Sequence, residues 1–459
     1  MNLPNTLYLP ELREMLAEGN AAELREFCAA LHPASTADFM EGLTAEEAWR
    51  VLQFAEMPTR VQIFGYFPRE KQIEILKLGD RAEIAQFIGH LPPDDRVDLL
   101  NDVDADLVAQ WLPLMPAAER RDILRLRAFP ENTAGAMMTT EFARLSENLT
   151  VREALEELGR QAGELETIYY IYILDDEGHL RGLVSARQLV SAMGKPDTRI
   201  GDLMEENIVT VNVDDDQEVV AQKVARYDLL AIPVVDQARH MLGIITHDDV
   251  IDVVVEEASE DAYKMGGMMP IEESYLETAF VTIWRKRAGW LSMLFVAELF
   301  TFTALASFEE AIQKVIALSL FVPLCISTGG NSGSQAATLI TRAIALGQIT
   351  VRDWFRVLRH ELLMGLALGA TLGTIGFVRA ALTPQSVLGD VNHWTLALVI
   401  GQAVAVICLW GTLTGSLLPI AFKRLGFDPG FASSPFVATF VDVTGIVIYF
   451  SIAEAYLLR

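Results

Sequence analysis

Two stretches put oxygen donors inside otherwise apolar sequence. One is Pro323-Leu-Cys-Ile-Ser-Thr-Gly-Gly-Asn-Ser-Gly-Ser-Gln, and the other is Phe436-Val-Ala-Thr-Phe-Val-Asp-Val-Thr-Gly-Ile. Polar groups within a membrane span are unfavourable and call for a function. Three glycines among hydroxyls and amides predict a broken helix, tolerated at membrane depth only where it faces protein or water. The carbonyls freed by such a break, with the Asn331 amide, are donors suited to a hard cation or its water shell. Asp442 is the only acid deep in the second stretch, and Thr439 lies one turn before it. A single carboxylate acting through hydration water attracts a cation without trapping it, as conduction requires. The plainer reading of Asp442 is a hydrogen-bond partner for Thr or Gly backbone. Glu298 is open between helix packing and a water-facing site, and Glu361 is expected at the membrane surface, paired with Arg.

A second group of acids lies upstream. Asp252, Glu256, Glu257, Glu260 and Asp261 crowd about three helical turns. Like charges at i,i+4, such as Glu256 and Glu260, destabilise a helix unless something neutralises them. The run leads into Trp284-Arg-Lys-Arg and apolar sequence, so it is expected to act as a lever between a soluble and a membrane part.

The elements that must position these residues divide into four regions. The chain has 459 residues and a formal charge of −26, with mean hydropathy +0.27. Acidity and apolarity coexist because they are segregated. After Arg287 the acids are Glu298, Glu309, Glu310, Asp353, Glu361, Asp390, Asp428, Asp442 and Glu454, balanced by an equal number of Lys and Arg. The first 287 residues therefore carry the whole excess. Such a surface attracts cations and does not seek nucleic acid or anionic lipid. The three cysteines, Cys28, Cys325 and Cys408, have no metal or redox spacing and read as packed residues. No basic segment precedes an apolar core between Met1 and Glu11, so no secretory signal is expected and the soluble part should stay in the cytoplasm.

Residues 1–130 predict an all-helical superhelical domain of short helices. Their starts are marked by Leu91-Pro-Pro-Asp-Asp, Met115-Pro-Ala-Ala-Glu, Ala34-Ser-Thr-Ala-Asp and Leu43-Thr-Ala-Glu-Glu. Residues 131–250 repeat. The stretches from Thr167 to Leu189 and from Leu229 to Val250 each read as a buried strand, a tight turn, a second strand and a Ser- or Thr-capped helix. Residues 251–284 predict an acidic connecting helix. Residues 285–459 predict five helical spans, at about 289–306, 312–345 (broken), 361–383, 394–420 and 434–457. Arg285, Lys286, Arg287, Arg352, Arg356, Arg359, Lys423 and Arg424 fall on one side of these spans. They put the N-terminus inside and, after five spans, the C-terminus outside.

The repeat resembles a tandem pair of CBS domains, an α/β module for sensing small ligands, often adenine nucleotides. Ser185, Arg187, Tyr227 and Asp249 sit where such sites draw contacts with ATP, although Gln188 replaces the acid that often holds a ribose. With the helical domain, connecting helix and five spans, the whole chain resembles the MgtE family of magnesium channels. The strongest carriers are Gly329-Gly-Asn-Ser-Gly-Ser-Gln, Leu425-Gly-Phe-Asp-Pro and Ala438-Thr-Phe-Val-Asp-Val-Thr-Gly. The commoner family motif has Asn where this chain has Ser334.

The resemblance implies a homodimer in the cell (inner) membrane, lined by its fifth helices, that conducts divalent cations and Mg²⁺ by preference. Its implied pore set is Gly329, Gly330, Asn331, Ala438, Thr439 and Asp442. It also implies closure by cytoplasmic Mg²⁺ bound at Asp216, Glu218, Asp228, Asp249, Asp252, Glu257, Glu260, Asp261 and Asp428, with Asp94, Asp95 and Asp98 from the helical domain. An ion-coupled carrier of divalent cations is the alternative, since broken apolar helices fit both. An enzyme is not expected: His360-Glu361-Leu-Leu-Met lacks the second His of a metalloprotease helix, and no base partners a serine. Spans that merely anchor a signalling module fit poorly with the polar glycine run and Asp442.

Overall fold

The computed structural model describes residues 8–271, 275–276, 278–388 and 391–457. It divides into two compact units, residues 1–253 and 254–459.

The first unit opens with ten short helices among the described residues, from Leu9–Glu18 to Ala117–Leu126. The punctuation works largely as read. Thr44 forms a reciprocal capping box with Glu47, and Pro116 ends the approach to the helix Ala117–Leu126. Ser35 and Thr36 differ from expectation. Pro33 starts its helix earlier, the ring of His32 accepts from the Ala34 amide at 3.2 Å, and Thr36 is buried inside the helix. The helical core is built on edge-to-face rings, Trp49 on Phe87 at 5.2 Å and Phe64 on Phe87 at 4.9 Å. Each such side chain stabilises the fold by roughly 2–3 kcal/mol through burial.

The repeat forms two sheets of identical plan. Strands β1 (Phe142–Ser146), β2 (Thr167–Leu174) and β3 (Leu180–Ser185) make one; β4 (Val211–Asn212), β5 (Ala231–Val235) and β6 (Met241–Thr246) make the other. In each the first pair is parallel and the second antiparallel. The copies meet at their turns. Leu180 donates its amide to Arg239 O and Met241 donates to Gly178 O, both at 3.1 Å, while His179 stacks on His240 at 4.2 Å. Val97, from the helix Pro93–Asn101, is buried in one core with Val211, Val220, Ile232, Val250 and Val253 of the second copy. That apolar seam brings the acids of the helical domain to the start of the connecting helix.

The connecting helix runs His247–Met265 and not to residue 284. Gly267, at φ +69°, turns the chain out of it, a conformation glycine adopts without a Cβ clash. Residues 272–274 and 277, which the expected helix includes, lie outside the described residues.

Among its described residues the second unit holds five long helices, Phe280–Ser307, Ala317–Ala345, Trp354–Ala381, His393–Arg424 and Ser434–Leu457. The first, third, fourth and fifth are long and apolar enough to cross a membrane. The second is not broken as expected: it is one continuous helix through the whole polar run. Its glycines serve close packing. A Cβ on Gly329 would lie 2.7 Å from Val441 Cγ1, and one on Gly333 would lie 2.8 Å from Val437 Cγ1 and 3.0 Å from the Gly411 carbonyl. Small residues let helix backbones approach where apolar burial alone gives no preference between lipid and protein. The three cysteines are buried and free.

Candidate cation-binding sites

Asp442 lies on the fifth long helix where it meets the second. A Cβ on Gly330 would stand 3.5 Å from both Ala438 Cβ and Asp442 Oδ1, so Gly330, Ala438 and Asp442 form one contact. Asp442 is half-buried, and no hydrogen bond or ion pair engages its carboxylate among the described residues. The structural hydrogen-bond role is therefore not seen. Thr444 instead gives its hydroxyl to Phe440 O at 2.9 Å and accepts from Trp410 Nε1 at 2.9 Å. Glu298 of the first long helix lies within electrostatic reach of Asp442, and it accepts from the Thr301 hydroxyl at 3.0 Å.

The rest of the expected pore set is placed differently. Because the second helix is continuous, Gly329 and Gly330 free no carbonyls; Gly329 O accepts from the Ser332 hydroxyl at 3.1 Å. Asn331 is exposed, with a long 3.4 Å bond to Ser327 as its one side-chain hydrogen bond among the described residues, and Thr439 is half-buried one turn before Asp442. Glu361 is buried, and no Arg pairs with it among the described residues, in contrast to the expected surface position.

A second group of carboxylates gathers in the first unit. Asp94, Asp95 and Asp98 come from the helix Pro93–Asn101, Asp248, Asp249 and Asp252 from the first turns of the connecting helix, and Glu166 from the entry to β2. Burial drives Asp94 well above the usual carboxylate range, and the charges of Asp249, Asp95 and Glu166 add to it. Desolvation and neighbouring acids also raise Asp249 to about 6, although the Thr246 hydroxyl, 2.6 Å away, opposes this. Asp95, Asp98 and Glu166 keep solvent-accessible side chains, yet protein crowds their carboxyl groups. Desolvation pushes Asp98 to about 6 against the pull of Arg69, and Glu166 to about 7 with the help of Asp249. Asp95 is raised by the same desolvation, partly offset by Arg69. Arg69 itself donates to Asp102 at 2.6 Å. The cluster is thus short of positive charge, but among the described residues no three of its acids stand close enough together to hold a metal ion. Glu166 was missed in the sequence because nothing local marks it; it lies far from the other acids along the chain.

Asp216 and Asp228 do not meet. Asp216 caps the helix Gln217–Tyr227 by accepting from the Glu218 amide at 2.9 Å, and Asp228 ends that helix at φ 52°. Eleven helical residues lie between them and separate them by roughly 18 Å, too far to share an ion. Of the expected nucleotide contacts, Ser185 caps its helix in a capping box with Gln188, and Arg187 is exposed on the first turn. Tyr227 is exposed under the Arg226 guanidinium, and Asp249 is held by Thr246. No hydrogen bond or ion pair joins Ser185 or Arg187 to Tyr227 or Asp249 among the described residues.

In the second unit, Glu257, Glu260 and Asp261 share the end of the connecting helix, and Asp428 lies in the loop after the fourth long helix. Sequence reading missed the cation between them. Lys264 Nζ donates to Glu260 Oε1 at 2.5 Å and to Asp428 Oδ2, and Asp428 Oδ1 accepts from the Gly430 amide at 2.7 Å. Burial opposes the charge on Lys264, but Asp428 and Glu260 outweigh it and hold its pKa above the usual lysine range. Burial and Asp428 raise Asp261, and Lys264 offsets part of the rise. The i,i+4 spacing of Glu260 and Lys264 was the available signal.

Comparison with known proteins agrees with this layout. Residues 322–452 match the MgtE divalent cation transporter family, residues 31–132 the MgtE intracellular N domain, and residues 134–195 and 200–256 the CBS domain. The magnesium transporter MgtE of Thermus thermophilus is 36% identical over 446 residues, 96% of this chain and 97% of that protein. The magnesium transporter MgtE of Enterococcus faecalis is 38% identical over 338 residues, 73% of this chain and 71% of that protein. Among solved structures, the soluble part of a magnesium transporter aligns with a TM-score of 0.51 at 37% identity, covering 54% of this chain and 97% of that one. On sequence, domain order and fold together, the chain belongs to the MgtE family of magnesium transporters.

Proposed function

We propose that this chain conducts Mg²⁺ across the cell (inner) membrane as a homodimer, and that Mg²⁺ on its acidic side closes it. The observation that carries the proposal is Asp442: a half-buried carboxylate without hydrogen bond or ion pair among the described residues, set against Gly330 and Ala438. A carboxylate left free at that depth has a use only for a cation or its hydration shell. Glu298 nearby adds negative potential at the same place. The exposed apolar face of the first long helix, with Phe295, Val296, Leu299, Phe300 and Phe302, suits lipid or a second copy. In this reading the acidic first unit faces the cytoplasm and the C-terminus lies outside.

The regulatory part rests on repulsion. Asp94, Asp95, Asp98, Asp249 and Asp252 cannot all stay ionised and close together without a counter-cation, so divalent ions favour the compact arrangement over any looser one. Asp216 and Asp228, being far apart, would each need ligands from elsewhere.

The test is divalent flux into proteoliposomes, native against Asp442→Ala, with low and high Mg²⁺ on the side of the acidic unit. Loss of flux in the variant and inhibition of the native protein by Mg²⁺ on that side are expected. Undiminished flux in a folded variant overturns the pore assignment. Flux that requires a counter-ion gradient identifies the carrier alternative.

A further inference from the structure

The connecting helix leaves through a junction built from three parts of the second unit. The helix closes at Gly267 in a paired backbone cap: Gly267 donates its amide to Lys264 O and Met268 donates to Tyr263 O, both at 2.9 Å. Both the φ of +69° and the surroundings call for glycine. A Cβ there would lie 2.7 Å from Trp290 Nε1, 2.8 Å from Trp290 Cδ1 and 3.4 Å from Pro435 Cγ. Gly267 thus lies against Trp290 of the first long helix and against Pro435 in the opening turn of the fifth.

Trp290 is half-buried, and its ring stacks on Phe431 with 5.9 Å between centroids and 24° between planes. One turn earlier on the same helix, Lys286 gives its ammonium to Pro270 O, so the exit segment is held at two points. Yet the indole Nε1 is sealed from solvent with no hydrogen-bond partner among the described residues. A buried donor without an acceptor disfavours the arrangement that seals it. The packed exit is therefore favoured by stacking and by the Lys286 bond and opposed by an unmet N–H. Such a balance suits a junction that must release as well as hold. Pro435 and Asp442 are seven residues, or two turns, apart on the fifth helix. Movement of the exit against Pro435 therefore acts on the helix that carries that carboxylate.

We propose that Trp290 is a positioning residue for closure: its indole wedges the exit of the connecting helix, at Gly267, against the start of the fifth long helix. The inference rests on the reading that Mg²⁺ on the acidic side closes the conduit, and it adds the side chain that passes the movement to the fifth helix. Losing the wedge should change the Mg²⁺ concentration needed to close, and not the flux once open.

The experiment measures divalent flux in proteoliposomes of the full chain as Mg²⁺ is raised on the side of the acidic unit. It compares the native protein with Trp290→Ala, Trp290→Phe, Gly267→Ala and the double variant Trp290→Ala/Gly267→Ala. Trp290→Ala and Gly267→Ala should each raise the half-closing Mg²⁺ concentration by about fivefold or more, with flux in chelator within about twofold of native. The double variant should shift by less than the product of the two, because both break one contact. Trp290→Phe keeps a ring beside Gly267 and removes the unmet N–H, so it should close at the native concentration or below it. If Trp290→Ala closes as native, or if the two shifts multiply independently, the assignment of Trp290 is overturned and the closure reading stands. Reduced flux in chelator with an unchanged half-closing concentration marks Trp290 as structural and overturns the proposal. Native flux that Mg²⁺ on that side leaves unchanged sinks the closure reading and this proposal with it. Should Trp290→Ala or Gly267→Ala not fold, the chain labelled with 5-fluorotryptophan is read by ¹⁹F resonance. The signal missing from Trp290→Phe identifies residue 290, and it should shift between chelator and saturating Mg²⁺; a signal that stays in place overturns the proposal.

Discussion

Lys264 and Asp428 are joined by an ion pair between residues 164 apart in sequence, which ties the end of the connecting helix to the loop before the fifth long helix. The same ammonium holds Glu260, so one positive charge is shared between two carboxylates expected to bind Mg²⁺. Gly430 packs against the stem of Lys264: a Cβ there would lie 2.9 Å from Lys264 Cβ. This junction therefore has a covalently attached cation, and its integrity should not depend on metal alone.

Replacing that cation should expose the difference. Lys264→Met keeps the apolar stem and removes the charge, leaving Glu260, Asp261 and Asp428 to repel. With its partners about one-third exposed, the loss should be about 1 kcal/mol. Limited proteolysis after Met265 in chelator should quicken in the variant, and saturating Mg²⁺ should restore most of the protection. Equal rates with and without Mg²⁺ would show that the pair does not hold the junction.

Asp442→Asn should separate conduction from folding. Since no hydrogen bond or ion pair holds this carboxylate among the described residues, the thermal midpoint in detergent should change little, within about 0.5 kcal/mol. Mg²⁺ flux should fall at least about tenfold, the effect of losing roughly 1.4 kcal/mol of interaction. A large drop in the midpoint would mean the side chain is structural.

Glycine contacts should be sharply position-dependent. A Cβ on Gly373 would lie 2.6 Å from the Gly401 carbonyl, and one on Gly369 would lie 2.7 Å from Ala405 O. Gly373→Ala should destabilise the bundle by about 1–3 kcal/mol, as overpacking does against backbone that cannot yield. Gly289→Ala, where nothing lies within 4 Å, should be neutral or slightly stabilising. Thermal unfolding of the two variants side by side checks this.

The acid cluster predicts a pH effect in the metal-free protein. Asp98 and Asp249 are raised to about 6 and Glu166 to about 7. A carboxylate whose folded pKa exceeds its unfolded value adds stability that is full below the unfolded value and is lost as pH rises through the folded one. In chelator, the midpoint of the first unit's transition should therefore fall as the pH rises from about 4 to about 7. The amplitude should be modest because Asp98 and Glu166 are solvent-accessible. Saturating Mg²⁺ should flatten the slope. A midpoint that rises with pH over this window in chelator would contradict the clustered arrangement.

Several features were legible in the sequence because they depend on neighbours along the chain. Alternation and spacing marked the duplicated strands, and Ser185 and Thr246 reach the residues three ahead, Gln188 and Asp249, as their local pattern implies. Unbroken apolar length marked the spans, and the one acid deep in the last of them marked Asp442. Charge segregation marked the division between an acidic soluble part and a neutral apolar one. Only the tertiary structure decided what the glycine run does. Read locally, three glycines weaken a helix. In the fold the helix runs whole through them, and Gly329 and Gly333 lie where a Cβ would clash with Ile407, Val441, Val437 and the Gly411 carbonyl. Lys264 and Glu166 were likewise undecided by sequence, since their partners at Asp428 and Asp249 are brought near only by folding. Backbone propensity acts within a few residues, whereas close helix approach and charge compensation are set by whichever distant segment the core brings alongside.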